Sequence, residues 1–131
     1  MIVVDASALI ELLTRSERGE LVEARILRAS ETIHAPALID LEIAQVLRRY
    51  VASKQVPAHW ARMALDIAIA FPMTRYLHEP LMKRVWELKE NVTAYDAAYI
   101  ALAEALRAPL VTCDAKLGRT RGIHTTVEVI S

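Results

Sequence analysis

The sequence predicts an α/β protein, a three-layer α/β/α sandwich with a short, mainly parallel central sheet. Two observations predict it. Short apolar, partly β-branched runs alternate with longer segments of helical period, the pattern of strand–helix–strand units. The run Ile2-Val3-Val4 is wholly apolar, as a mid-sheet strand must be, and segment 93–106 is apolar almost all round, as a helix buried against such a sheet must be.

The elements follow in order. Residues 6–13 read as a short helix with Leu9, Ile10, Leu12 and Leu13 apolar, and 14–19 break it. Residues 20–29 form a second helix, with a stripe of Leu21, Ala24 and Leu27 widened by Val22 and Ile26. Residues 32–35 are a strand. Pro36 suits the first turn of the next helix, which runs to about Ser53 and carries a broad apolar stripe. Pro57 starts another helix, with Trp60, Ala64, Ile67 and Ala68 on one side. Residues 73–77 fit a short strand and equally a loop. Residues 80–90 are helical, with Asn91 as the stop. After helix 93–106 come a strand at 110–113, a helical turn at 115–119 and a last strand at 125–130.

With 131 residues, only three glycines and five prolines, and no repeat, one domain spanning 1–131 is expected. A hydrophobic fraction of 54% argues against disorder. The 16 basic and 16 acidic side chains cancel, so a polyanionic partner would have to be met by local patches. The lone Cys113 allows no internal disulfide and no CxxC zinc site, and fits a reducing cytoplasm. The chain opens on a strand without a basic lead-in, so no signal peptide is expected, and no apolar run reaches membrane-spanning length.

Four carboxylates carry the chemical signal: Asp5, Glu42, Asp96 and Asp114. Asp5 and Asp114 directly follow strands, Asp96 lies in the first turn of the buried helix, and Glu42 lies within two turns of a helix start. In a parallel sheet these positions share the carboxyl edge, where ligands bind. Converging acids repel unless protons or a divalent cation hold them together. Each acid also has a purely structural reading. Asp5 and Asp114 suit helix N-caps, Thr93 and Asp96 resemble a capping box, and Glu42 suits a solvated helix face. Together they weigh toward a metal site, because an unpartnered charge on the mostly apolar helix 93–106 is costly. Ser7, Thr93 and Thr112 stand two or three residues from an acid and read both as caps or strand formers and as supports for metal ligands. Asp40, Asp66, Glu79, Glu87 and Glu90 read as solvated surface.

No other chemistry competes well. His34, His59, His78 and His124 lack metal-binding spacing, with His59 and His78 read as surface and His34 and His124 as strand-edge residues. GxGxxG, GxxxxGK[ST] and GxSxG are absent. Cys113 reads as strand filler, because Asp114 beside it disfavours a thiolate. Basic groups at Arg15 and Arg18, and at Arg48, Arg49 and Lys54, read as soluble surface. Lys116, Arg119 and Arg121 lie in an acid-free stretch that begins beside Asp114, and read either as surface or as a rim that contacts a phosphodiester.

The blocks at 1–9, 36–44, 93–103 and 110–114, above all Thr93-Ala94-Tyr95-Asp96-Ala97-Ala98-Tyr99, resemble those of PIN-domain ribonucleases. Within that superfamily the chain looks like a VapC toxin of a VapBC toxin–antitoxin pair. The resemblance implies the α/β/α sandwich, Mg2+- or Mn2+-dependent cleavage of RNA, a homodimer and a VapB-type antitoxin that blocks the site. It maps the acids onto Asp5, Glu42, Asp96 and Asp114, and the supporting hydroxyls onto Ser7 and Thr112. Some PIN domains carry a further acid after the fourth, where this chain has Ala115-Lys116-Leu117-Gly118. Asp5 and Asp96 are the expected main ligands, with Glu42 and Asp114 completing the cluster. Two other classes remain on the residues alone: a phosphoaspartate hydrolase or receiver domain, and an inactive PIN-like scaffold. The first lacks the second aspartate or adjacent acid pair that such sites use.

Overall fold

A computed structural model describes residues 1–28 and 30–131. Five strands, β1 (Ile2–Val4), β2 (Ile33–Pro36), β3 (Thr74–Tyr76), β4 (Leu110–Thr112) and β5 (Val127–Val129), form one sheet in the order β3-β2-β1-β4-β5. Every pairing is parallel, so the sheet is wholly rather than mainly parallel. The chain steps outward from β1 to β3, then returns past β1 to lay β4 on its other side. Right-handed crossovers therefore put the two excursions on opposite faces. One face carries α1 (Ala6–Thr14), α2 (Glu17–Ile26), α3 (Ile39–Ala52) and α4 (Ala58–Ala70), with α1 packed on the other three. The other carries α5 (Met82–Glu87) and α6 (Ala94–Leu106), with α6 packed on β1, β2 and β4. α7 (Ala115–Gly118) links β4 to β5.

Burial explains the two strongest sequence signals. β1, β2 and β4 are buried at every position, and α6 is buried without a break from Ala97 to Ala103. Its alanines at 97, 98, 101 and 103 let the helix approach the sheet closely. The reversal of direction between β1 and β4 opens a crevice at the carboxyl ends of these two central strands.

Several boundaries differ from expectation. The second helix starts at Glu17, because Ser16 Oγ accepts the Gly19 N–H at 3.0 Å and caps it. Gly19 therefore lies inside a helix, not in the breaker before it. That helix ends at Ile26, and Ala29, expected as its last residue, lies outside the described residues. Pro36 ends β2 opposite Tyr76 and does not open α3, which begins at Ile39. Here pairing with β3 overrides proline's preference for a first helical turn. Residues 74–76 are a strand, half-exposed at the sheet edge. The segment expected as one helix from Pro80 is a 3-10 turn, Glu79–Leu81, followed by the six-residue α5. His34 is buried in β2, bonded to Tyr76 Oη and Thr32 Oγ1, and not at a strand edge. His78 accepts the Leu38 N–H at 2.9 Å and so serves the start of α3, which has no side-chain cap of its own.

Candidate active site

Register places the first carboxylate. Val3 pairs with Leu110 and Val4 with Val111, so Asp5 comes level with Thr112 on the same side of the sheet. Asp5 is buried and caps α1: its Oδ1 accepts the Ala8 N–H at 3.0 Å and the Ser7 hydroxyl at 2.7 Å. Its Oδ2 accepts the Thr112 hydroxyl at 2.5 Å. Thr112 Oγ1 also accepts the Asp114 N–H, and Ser7 Oγ accepts the Cys113 N–H, each at 2.9 Å. The two hydroxyls expected as supports thus tie the end of β1 to the end of β4. Asp114 caps α7 by accepting the Lys116 N–H at 2.9 Å. Thr93 caps α6 by accepting the Asp96 N–H at 3.2 Å, which leaves the half-buried Asp96 carboxylate at the positive end of the helix dipole. The capping and functional readings of these residues are therefore compatible.

Glu42, on α3, accepts the Tyr99 hydroxyl at 2.6 Å. This bond crosses from one helical layer to the other over the sheet edge. Tyr99 is almost wholly buried one turn after Asp96, and its phenol is held far above the usual range, first by burial and then by Glu42. Sequence reasoning placed Tyr99 in the mostly apolar helix 93–106 and in the resembling block, and gave it no role at Glu42. We expect Tyr99→Phe to preserve the fold, with a loss of about 1 kcal/mol, because the freed Glu42 oxygen can take water. Activity should fall about tenfold, because Glu42 loses the group that orients it. Thermal melting and RNA cleavage measured side by side would test this, and unchanged cleavage would remove Tyr99 from the site.

All four acids, with Ser7 and Tyr99, line one cavity of about 420 Å3. Asp5 is pushed up from 3.8 to about 6, chiefly by burial, with Asp96 adding repulsion against the lowering effect of its hydrogen bonds. Burial also raises Glu42, again with Asp96 contributing, and raises Asp96, with Asp114 contributing. Asp96 is thus the electrostatic hub of the four. Cys113, beside them, is pushed up to about 11 by burial and then by Asp5 and Glu11, which suits inert packing.

Among the described residues, no three acidic, histidine or cysteine side chains are drawn together tightly enough to hold a metal directly. The hydrogen bonds explain the spread, since Asp5, Glu42 and Asp114 each answer a protein donor. The donor set still fits Mg2+ or Mn2+: it is all oxygen, repulsive without a cation and roomy, and magnesium commonly takes one or two carboxylates and keeps several waters. Lys116, Arg119 and Arg121 line a second cavity of about 420 Å3 that contains Thr93 and shares Asp96 with the first.

The PIN domain family model matches residues 2–123. Ribonuclease VapC12 of Mycobacterium tuberculosis is 37% identical over 131 residues, all of both chains. Ribonuclease VapC9 of the same organism is 42% identical over 130 residues, 99% of this chain and 98% of that one. This chain belongs to the VapC family of PIN-domain proteins. Its fold matches that of PAE2754 from Pyrobaculum aerophilum, with a TM-score of 0.71 and 25% identity over 93% of this VapC-family chain and 81% of that one. It also matches VapBC2 from Rickettsia felis bound to a DNA fragment from their promoter, with a TM-score of 0.73 over all of both chains. At 16% identity that likeness concerns the fold alone.

Proposed function

We propose that this chain is a Mg2+- or Mn2+-dependent endoribonuclease and the toxin of a type II toxin–antitoxin pair. The observation that carries the catalytic reading is the single cavity into which Asp5, Glu42, Asp96 and Asp114 converge, with basic side chains at its rim. Asp5 and Asp96 would hold the cation, and Glu42 and Asp114 would complete its surroundings. When bound, the cation would neutralise charge on the phosphate and acidify water. Ser7 and Thr112 fix the Asp5 carboxylate by donating one hydrogen bond to each oxygen. Tyr99 fixes Glu42, leaving its second oxygen free to orient a water toward the phosphorus. Lys116, Arg119 and Arg121 receive neighbouring phosphates.

A phosphoaspartate mechanism is less well served, because the position two residues after Asp5 holds Ser7, where such a site needs a second aspartate. Beryllium fluoride trapped at Asp5 would favour that class. The direct test is RNA cleavage with and without chelator. EDTA should reduce cleavage to the level of a blank, and added Mg2+ or Mn2+ should restore it. Cleavage that persists in EDTA would overturn the metal assignment.

The partners proposed are a VapB-type antitoxin and a second copy of the chain. Both readings are supported by exposed apolar side chains: Met63, Ile67 and Ile69 on α4, Met82 and Trp86 on α5, and Leu41 and Tyr95 in the first turns of α3 and α6. A toxin–antitoxin complex from Klebsiella pneumoniae shares the fold, with a TM-score of 0.67 at 18% identity. Among the described residues no helix is long and apolar enough to cross a membrane. The lone free cysteine, Cys113, supports a reducing cytoplasm as the protein's place.

A further inference from the structure

The acid cavity has a second flank that the basic rim does not explain. Gln45, Arg49 and Tyr50 line it together with the four acids. They lie on α3 beyond Glu42, and Gln45 and Arg49 follow that acid at i+3 and i+7, on its own helix face. Arg49 is exposed and has no ion pair among the described residues, although acids line the same cavity. Most arginines that serve the fold are held differently. Arg25, Arg75 and Arg84 each grip a carboxylate through two nitrogens. The Gln45 amide and the Tyr50 hydroxyl likewise make no hydrogen bond with another described residue, while the Tyr50 ring is braced against the core.

A cavity lined by acids repels a phosphodiester, so a strand crossing it needs cations on both sides. Lys116, Arg119 and Arg121 supply one side, by way of the cavity that shares Asp96. We infer that Gln45, Arg49 and Tyr50 form a nucleotide subsite on the other, with Arg49 gripping the phosphate next to the scissile one and the Tyr50 ring and Gln45 amide meeting its base. The RNA strand then runs from the C-terminal half of α3, over the acids, to α7. The guanidinium fork suits a bidentate phosphate contact, and an aromatic ring suits an unstacked base of single-stranded RNA. This subsite rests on the ribonuclease reading above.

The test compares Arg49→Gln with Arg48→Gln. Arg48 is the adjacent exposed arginine on α3, it also lacks an ion pair among the described residues, and it does not line the acid cavity. Cleavage of a short single-stranded RNA is followed in Mg2+ over a range of salt concentrations. Arg49→Gln should raise KM about tenfold with kcat nearly unchanged, and should lower the slope of log(kcat/KM) against log salt by about one. Arg48→Gln should move neither by more than about twofold. If the unmodified protein cleaves and Arg49→Gln leaves KM and the salt slope as they were, the subsite is wrong and the ribonuclease reading stands. Equal losses in both variants reduce the effect to bulk charge and also overturn the subsite. If the unmodified protein cleaves no RNA, the ribonuclease reading fails and the subsite with it.

Discussion

Asp5→Asn is expected to abolish RNA cleavage and, without metal, to make the protein more stable at neutral pH. The loss of activity follows from the loss of a charged ligand at the most buried of the four acids, and should exceed about 100-fold. The gain in stability follows from where that charge sits. Asp5 is pushed up from 3.8 to about 6, so between those values the folded chain holds a proton that the unfolded chain has released. Stability therefore falls as pH rises through that window, by about 3 kcal/mol in total for a shift of roughly two units. Glu42 and Asp96 shift in the same direction. Glu31 and Glu104 shift the other way, so their stabilisation is lost only as pH falls below the ordinary glutamate value of 4.5.

An amide at position 5 can keep the local bonds. Its oxygen accepts from Ser7 and Ala8, its nitrogen donates to Thr112 Oγ1, and the Thr112 hydroxyl turns to Ser7 Oγ, which lies 3.1 Å away. The variant should therefore fold, lose Asp5's share of the slope of stability against pH between 5 and 7 while Glu42 and Asp96 keep theirs, and resist urea better than the unmodified protein at pH 7 in EDTA. Urea titrations at both pH values, with a cleavage assay on the same samples, would decide. A variant that cuts RNA at full rate ends the assignment of Asp5. One that is less stable at pH 7 ends the claim that this charge is held at a cost to the fold.

The same tension between charge and burial governs what could be seen in the sequence. β1 and α6 were legible because elements covered on every side must be apolar on every side, and nothing else in the chain looks like that. Asp5 stood out by interrupting such a run. Thr112 was legible as a strand residue and as a support beside Asp114, but its bond to Asp5 was not, since the register that makes those two neighbours is a long-range fact. Tyr99 was hidden by its own chemistry: its ring satisfies an apolar pattern, while its hydroxyl does the work at Glu42. Arg49 was visible by spacing, seven residues after Glu42, but an exposed arginine beside another looks like solvated surface until a cavity is seen beneath it. Pro36 was misread because a local preference lost to pairing with β3. The acids' addresses at strand ends and helix starts could be read. Which donor each oxygen would answer could not.

Gly19→Ala is expected to destabilise the protein by roughly 2–4 kcal/mol and to lower activity with it. On propensity alone the change should help, since alanine is favoured over glycine in a helix by about 1 kcal/mol. Packing reverses the sign. A Cβ at Gly19 would stand 2.2 Å from the Glu11 carbonyl oxygen and 2.9 Å from its carbon. Those are backbone atoms of α1, so no rotamer change relieves the clash, and the two helices must separate. α1 cannot move freely: Asp5 caps its start, Ser7 ties it to β4, and Ile10 and Glu11 line the acid cavity. Glu11 also accepts from Ser16 Oγ and pairs with Arg18 at 2.9 Å, so separating the helices loosens that corner as well. The strain is thus passed toward the catalytic acids, and the activity lost in Gly19→Ala should exceed what its unfolded fraction explains. Urea unfolding gives the first quantity, and cleavage per folded molecule gives the second. A variant as stable as the unmodified protein would mean that α1 and α2 do not approach as closely as described. A destabilised variant with full activity per folded molecule would mean that the cavity does not depend on the seating of α1.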